Sequence, residues 1–329
     1  MGGNHRMKSW LLRADGAALA LACVDAPTPR PGAGQLLVRM LAAGLNRGEF
    51  IPGGLVKEGA SKPAGMEGAG EIVAVGEGIR DFAPGERVMG RCAGAFAEYA
   101  VMDVREAMPV PPSLAIESAA AVPLVFLVVH DMLVAQGRLN AGEWLLVCGV
   151  SSGIGVAALQ AAKVLGARVI GTSGSAAKLA RLRELGLDVA VETRAAAFAD
   201  PVLQATAGRG ADLVVNAVGG SVFAECVRCM AFEARLATVG YVDRVLHAGI
   251  DLQALHAKRL TLFGVSNKLR SADQRAAGVP AFRAELLPAI ADGRIRPLVD
   301  RVFAFDELDA ARACMQENRH VGKIVLRIG

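Results

Sequence analysis

The sequence predicts an α/β fold: an open, doubly wound parallel sheet of six strands, joined to a strand-rich, partly barrel-like domain built from both chain ends. Three observations carry that expectation. From Asn140 to about Ser266, short apolar runs alternate with helical periodicity, as a parallel sheet with crossover helices requires. Before residue 125 the chain is strand-rich and punctuated by glycine and proline. Past residue 268 that second style returns, so the tail is expected to fold back onto the N-terminal part. The expected division is 7–126 with 268–329 against 127–267.

The elements follow in order. Gln35–Met40, Ala69–Val75, Arg87–Met89 and Ala97–Val101 read as strands of the first domain. Leu145–Cys148 opens the second. A helix follows, with Ile154, Ala157, Ala158, Ala161, Ala162 and Leu165 spaced as one buried stripe. Ala167–Ile170, Asp188–Glu192, Leu213–Ala217, Leu236–Val239 and Leu260–Val265 complete six strands, the doubly wound count. The tail reads as an amphipathic helix near 282–291, a strand Val302–Phe305, a helix from Glu307 and a last strand Gly322–Arg327.

Composition narrows the function classes. The chain has 329 residues, 53% of them hydrophobic, enough for a large core and more than one domain. Net charge is +4 without a basic block, which disfavours nucleic acid and anionic membranes as partners. The longest apolar stretch, Ala119–Val129, is interrupted by Pro123 and stopped by His130 and Asp131, so it reads as a buried segment. No secretory signal pattern opens the chain, so a cytoplasmic setting is expected. Met7 makes a natural start, and Met1–Arg6 reads as dispensable. The six cysteines are scattered. Cys226 and Cys229 share a helix face, yet no second Cys or His pair accompanies them, and structural zinc needs about four soft ligands. Packing is the expected role and no metal is expected.

The most informative stretch is Leu145–Gly155. An apolar strand runs into the small-residue turn Gly149-Val150-Ser151-Ser152, which opens the helix at Gly153. Backbone N–H groups of Ser152, Gly153 and Ile154 would then meet a pyrophosphate at the positive end of the helix. The full glycine fingerprint is not met, because Val150 and Ser152 replace its first two glycines. The strand, helix, strand context supplies the specificity for a dinucleotide; an ordinary strand-to-helix turn is the alternative. About twenty residues on, an acid would select NAD. Here the second strand ends in Gly171-Thr172-Ser173-Gly174-Ser175-Ala176-Ala177-Lys178, without one. The hydroxyls of Ser173 and Ser175 and the cation of Lys178 suit a 2′-phosphate, so NADPH is expected. A Ser cap with a solvated lysine is the alternative, and the two are compatible.

These residues resemble a known family. From Met7 onward the chain is similar to zinc-free medium-chain dehydrogenases/reductases close to the NADPH-dependent quinone oxidoreductases. The carriers are Ala43–Glu49, Gly65–Gly76, Asp81–Val88, the Val150–Gly155 turn, Gly174–Lys178 and Gly322–Leu326. The resemblance implies a Rossmann domain beside a catalytic domain. It also implies a homodimer formed by sheet extension through Leu260–Ser266, which would cover an apolar edge strand. Zinc-dependent relatives carry a ligand Cys at the position of Asn46 and a ligand His at Met66; neither residue here is a credible catalytic zinc ligand. Without a Lewis acid, alcohol oxidation loses its main electrostatic aid. Conjugated acceptors, quinones and α,β-unsaturated carbonyls, then fit better, because their developing charge spreads and is met by hydrogen bonds.

Site residues follow from the same resemblance. Asn46 is the candidate catalytic polar group, with a turn residue bonding its own backbone as the alternative. Glu49 is an acid/base candidate or a solvated loop carboxylate. Tyr99 alternates as a strand residue. Gly240 and Tyr241 follow the fifth strand on the cofactor side. Asn216, Asn267 and Lys323 are further cofactor contacts by position, Lys323 being equally a solvated strand-end lysine. Relatives have threonine near Val128, reaching the nicotinamide carboxamide, and an adenine-side tyrosine near Thr193; valine makes no such bond. The leading function is a zinc-independent NADPH-dependent quinone or enone reductase. The alternatives are an enoyl-thioester reductase, hinted at by Arg47 and Lys57, and a weakly catalytic NADPH-binding sensor.

Overall fold

The computed structural model describes residues 5–15, 18–51 and 60–329. Two compact units emerge: Met1–Leu124 with Pro297–Gly329, and Val125–Arg296.

In the first unit, β1 (Arg6–Asp15), β2 (Ala18–Pro27) and β4 (Ser61–Pro63) form an antiparallel sheet in the order β2-β1-β4. A second sheet combines β3 (Gln35–Gly44), β5 (Glu67–Val75), β6 (Arg87–Ala93) and β7 (Tyr99–Pro109) with two strands of the tail. Strand β3 pairs with both β5 and β7, so β3, β5, β6 and β7 close into a ring. The ring is the barrel-like part, and closure leaves those strands no open edge. Along β3, Leu36, Val38 and Met40 alternate inward, the period of two that pleating dictates. Strands β14 (Val299–Ala304) and β15 (Lys323–Arg327) extend this sheet, with β15 antiparallel to β3 through Val325 opposite Gly44.

Strands β1, β2 and β4 are not among the predicted elements. In β1 polar Ser9 is buried while Leu11 is only half-buried, which blurs the alternation. Arg6, expected to be dispensable, belongs to β1: it pairs with Pro27 and its guanidinium donates to the Asp25 carbonyl at 2.6 Å. Met1–Asn4 lie outside the described residues.

The second unit holds a parallel sheet of β8 (Trp144–Cys148), β9 (Arg168–Ser173), β10 (Val189–Glu192), β11 (Ala211–Asn216), β12 (Met230–Thr238) and β13 (Thr261–Gly264). Their order is β10-β9-β8-β11-β12-β13, the doubly wound order, with its reversal between β8 and β11. Every residue of β8 is buried, as a central strand covered on both faces requires. Helix α1 (Gly153–Val164) follows β8, and α2 (Ala176–Arg183) follows β9. Residues 268–296, expected with the chain-end domain, group instead with this unit. Side chains explain the placement. The Gln160 amide brackets the Arg296 backbone, accepting from its N–H at 2.7 Å and donating to its carbonyl at 2.9 Å. Buried His130 meets Glu285 at 2.8 Å and packs edge-on against Phe282. Helical periodicity alone says nothing about which core a helix joins.

Candidate functional site

In a parallel doubly wound sheet, ligands gather at the carboxyl ends of the strands, where the strand order reverses. Here that point lies between Cys148 and Asn216, the terminal residues of the paired strands β8 and β11. After Cys148 the chain turns through Gly149, whose φ of 81° is a left-handed conformation that glycine adopts without strain. Its N–H donates to the carbonyl of Thr172 at 3.2 Å. Ser152 caps α1: its hydroxyl donates to the Gly149 carbonyl at 2.8 Å and accepts from Gly155 N–H at 3.1 Å. The Ser152 N–H itself turns back to the Gly149 carbonyl at 3.1 Å, so it does not face outward as expected. Gly153 and Ile154 are the first residues of α1, where N–H groups lack an intrahelical acceptor, and both are partly exposed. They remain a fitting cradle for an anion. Gly155 has the packing role: a Cβ there would lie 2.5 Å from the Gly149 carbonyl oxygen.

The end of β9 lies beside this turn, with the hydroxyls of Ser151 and Ser173 3.4 Å apart. Ser175 caps α2 by accepting from the Lys178 N–H at 3.4 Å, and Lys178 sits half-buried in the first turn. The expected cap and the expected cation thus coexist. Two further neighbours carry no signal in the local sequence. The exposed Arg194 side chain lies over Gly174, where an added Cβ would meet its Cγ at 2.5 Å and its Cζ at 3.3 Å. The Glu192 carboxylate accepts from Ala176 N–H at 3.2 Å, putting an acid at the same helix end. No carboxylate stands in the turn from β9 into α2, but Glu192 arrives from the adjacent β10.

At the other strand ends, Asn216 is buried and spends its amide on its own loop. Its Oδ1 accepts from Val218 and Gly219 N–H at 3.0 Å, and its Nδ2 donates to the Gly219 carbonyl at 2.9 Å. Gly240 and exposed Tyr241 follow β12, while Asn267 follows β13 and accepts from Arg270 at 3.5 Å. Val128 is buried and apolar.

The first unit contains a buried polar cluster. Asn46 ends β3's excursion and precedes a short 3₁₀ turn, Arg47–Phe50. Its Nδ2 donates to Glu67 Oε1 at 2.8 Å and Glu49 Oε1 at 3.1 Å, and its Oδ1 accepts from Lys323 Nζ at 2.8 Å. Lys323 also donates to Glu67 Oε1 at 2.7 Å and to the Leu45 carbonyl at 2.8 Å. Glu67 Oε2 accepts from Leu124 N–H at 2.7 Å, and Glu49 Oε2 from Gly65 N–H at 3.1 Å. Two expectations change. Lys323 is not a solvated strand-end lysine; it is buried, and its three protons have three acceptors within the unit. Glu49 is not a solvated loop carboxylate but 1% exposed. Burial pushes its carboxyl up to about 7, opposed by the Asn46 hydrogen bond and Lys323 and reinforced by Glu67. Arg47, a hint of a phosphorylated carrier, is committed to the Met315 carbonyl at 2.6 Å and Asn318 Oδ1 at 2.7 Å; Lys57 lies outside the described residues.

Metal-ligating groupings of three or more His, Cys, Asp or Glu do not occur among the described residues. Cys148, Cys226 and Cys229 sit buried in the sheet's core, with the first two sulfurs 3.6 Å apart. The hydrogen bond with Cys148, together with burial, raises the Cys226 thiol, and burial raises Cys229 to about 12, which suits packing. No helix among the described residues is long and apolar enough to cross a membrane.

Comparison with known proteins agrees with this geometry. Residues 32–112 match an alcohol dehydrogenase GroES-like domain, and residues 153–277 a zinc-binding dehydrogenase model. A mycobacterial protein solved in complex with NADPH is 28% identical, with a TM-score of 0.88 over 98% of this chain and 100% of that one. A quinone oxidoreductase from Pseudomonas syringae pv. Tomato DC3000 is 26% identical, with a TM-score of 0.87 over 98% and 100%. A phenolphthiocerol/phthiocerol polyketide synthase of Mycobacterium tuberculosis is 31% identical over 305 residues, 91% of this chain. The chain spans only 14% of that relative's length. By its matched domains and by its fold, the chain belongs to the medium-chain dehydrogenase/reductase superfamily, where it is similar to the quinone oxidoreductases.

Proposed function

We propose that this protein is a zinc-independent oxidoreductase that uses NADPH to reduce quinones or α,β-unsaturated carbonyls. The observation that carries the reading is the cluster around Asn46. An amide bound by Glu49, Glu67 and Lys323 stands where a zinc-dependent relative needs a thiolate, and Met66 stands where it needs an imidazole. Amide and thioether are poor zinc donors, so activation of an acceptor falls to hydrogen bonds and charge. Asn46 has its amide committed, so it serves as the positioning node of the catalytic unit.

NADPH, once bound, supplies the hydride. Gly153 and Ile154 N–H groups would receive its pyrophosphate, with Ser152 fixing the turn from behind. Ser173, Ser175, Lys178 and Arg194 would hold the 2′-phosphate through hydroxyls and cations. Asn216 would shape the loop after β11, and Gly240, Tyr241 and Asn267 would line the remaining strand ends. A second copy pairing along the edge strand β13, whose Leu262 and Phe263 are only partly covered, would give the homodimer. The free cysteines fit a cytoplasmic setting.

A substrate panel monitored by NADPH absorbance tests the reading. Quinones and enones should be reduced, and primary and secondary alcohols with NADP⁺ should not react. Alcohol oxidation that is lost on chelation would overturn it. A second reading, an enoyl-thioester reductase, is favoured by the similarity to a polyketide synthase segment. Turnover of an enoyl thioester well above that of any quinone would select it. Tight NADPH binding without turnover of any acceptor would point to a sensor.

A further inference from the structure

At the carboxyl ends of the parallel strands, one carboxylate locks together the loops that leave β11 and β12. The backbone of the two loops is already laddered: Asp243 N–H donates to the Val218 carbonyl at 3.0 Å, and Gly220 N–H to the Val245 carbonyl at 2.9 Å. The Asp243 side chain adds three bonds. Its Oδ2 accepts from the Ser221 N–H at 2.9 Å and the Ser221 hydroxyl at 2.5 Å, and its Oδ1 accepts from the Val245 N–H at 2.9 Å. Partial burial works against the charge, but these bonds outweigh it and hold the carboxyl below its usual range. The fit leaves no room for a side chain at Gly219, where φ is 134° and a Cβ would overlap the carboxylate. Beside the lock, Arg244 is held at a φ of 61°, a left-handed conformation that is costly for a residue with a Cβ. Its N–H closes a tight turn onto the Tyr241 carbonyl at 3.0 Å. That turn leaves Tyr241 and Val242 52% and 47% exposed. Backbone strain persists only where surrounding bonds over-determine it, and such places cluster at ligand clamps.

Resting on the NADPH-dependent reductase reading, we propose that Asp243 is a positioning residue for the nicotinamide half of the cofactor. A doubly wound sheet binds a dinucleotide across its reversal point, one mononucleotide to each half. The half built from β8, β9 and β10 carries the Gly153 turn and the Ser173, Lys178 and Arg194 group, which suit a pyrophosphate and a 2′-phosphate. The nicotinamide riboside then falls to the ends of β11 and β12. There Asn216 fixes the first loop from within, and Asp243 ties the second loop to it. The Asp243 carboxylate does not itself touch the cofactor, since it is committed to Ser221 and Val245. It holds Tyr241 and Val242 in the arrangement that meets the nicotinamide ring, so binding does not have to order the loop.

Calorimetric titration of the full chain with NADPH and with adenosine 2′,5′-bisphosphate, which lacks the nicotinamide half, tests the assignment without turnover. Where binding requires one arrangement of a loop, the apparent dissociation constant rises as the inverse of the fraction that holds it. Asp243→Ala should therefore weaken NADPH by about tenfold or more and leave the bisphosphate within about twofold. Asp243→Asn keeps one acceptor oxygen and should fall between. Ser221→Ala should weaken NADPH by less than Asp243→Ala. Added to Asp243→Ala it should cost little further, because the two residues share the bond that is lost. Gly219→Ala breaks the lock from the opposite loop and should repeat the Asp243→Ala pattern. Should Asp243→Ala fail to fold, Ser221→Ala, which deletes a single hydroxyl, carries the same comparison. Equal loss of both ligands would mean that Asp243 only supports the fold, and would overturn the assignment. Unchanged NADPH affinity in Asp243→Ala would overturn it as well, and either result leaves the reductase reading intact. An unmutated protein that does not bind NADPH removes the cofactor reading and the Asp243 role together.

Discussion

The ammonium of Lys323 lies 2.7 Å from Glu67 Oε1, and both side chains are closed off from solvent. The two residues are 256 positions apart, on β15 and β5, so the pair joins the chain's tail to its first half. Around it the unit buries two carboxylates against one ammonium. An excess buried carboxyl is costly as an anion and retains its proton instead. Glu49, which the ammonium does not bond directly, has its carboxyl pushed up to about 7.

Removing the cation should be severe. Breaking a buried pair by deleting one partner costs about 3–5 kcal/mol, because the other charge is stranded. Lys323→Met should lower stability by about that amount in urea melts, and adding Glu67→Gln should recover a large part of it. A Lys323→Met protein as stable as the original would mean the ammonium is not balancing the cluster.

Glu49 gives a pH signature with a definite sign. Its carboxyl has an unfolded value near 4.5 and a folded value near 7. The folded state therefore holds the proton more tightly, and the stabilisation is complete below the unfolded value. It is lost as pH rises through the folded value. The change is roughly 3 kcal/mol over that window. Stability measured from pH 4.5 to 8 should fall with that slope in the unmutated protein. The slope should flatten in Glu49→Gln, whatever the baseline of that variant; identical slopes would show that Glu49 does not titrate there.

How far the sequence reveals such a site depends on range. The second unit was legible strand by strand, because strands covered on both faces read as continuous apolar runs and their connecting helices carry a 3.6 period. The turn opening α1 and the cap at Ser175 were legible for the same local reason, whereas the cap at Ser152 was not read. Glu49 was visible as a residue but not as a buried one, since three residues from Asn46 a carboxylate is solvated or enclosed according to what lies across from it. Here that is Gly65, Glu67 and Lys323. Arg194 and Glu192 reach the end of β9 from the neighbouring strand, a relationship that only the sheet order supplies.

Those two residues pull cofactor preference in opposite directions. Lys178→Ala and Arg194→Ala should each weaken NADPH more than NADH, by about 1.5–3 kcal/mol for a lost charge-assisted bond to phosphate. Glu192→Gln should tighten NADPH, because it removes an anion from the helix end that the 2′-phosphate approaches. Calorimetric titration of both cofactors into the three variants reads the outcome. Equal affinity for NADPH and NADH in the unmutated protein would show that no 2′-phosphate is recognised there.

The turn separates two glycines two residues apart. Gly155 is buried, and a Cβ there would fall 2.5 Å from the Gly149 carbonyl oxygen and 2.6 Å from Val150 Cα. Backbone does not yield as a side chain tip does, so α1 would have to lift from β8. Overpacking of this kind costs about 1–3 kcal/mol, and Gly155→Ala should lower the Tm of the cofactor-free protein. Gly153 is different. It is partly exposed at the first position of α1, and its φ is not in the left-handed region, so no backbone strain opposes a side chain there. What a side chain there obstructs is the approach of an anion to the Gly153 and Ile154 N–H groups. Gly153→Val should therefore leave the cofactor-free melt within a degree or two of the original while weakening NADPH binding by well over tenfold. The two variants measured side by side distinguish packing from contact. A folded Gly153→Val protein with an unchanged NADPH dissociation constant would mean that the pyrophosphate does not rest on this turn.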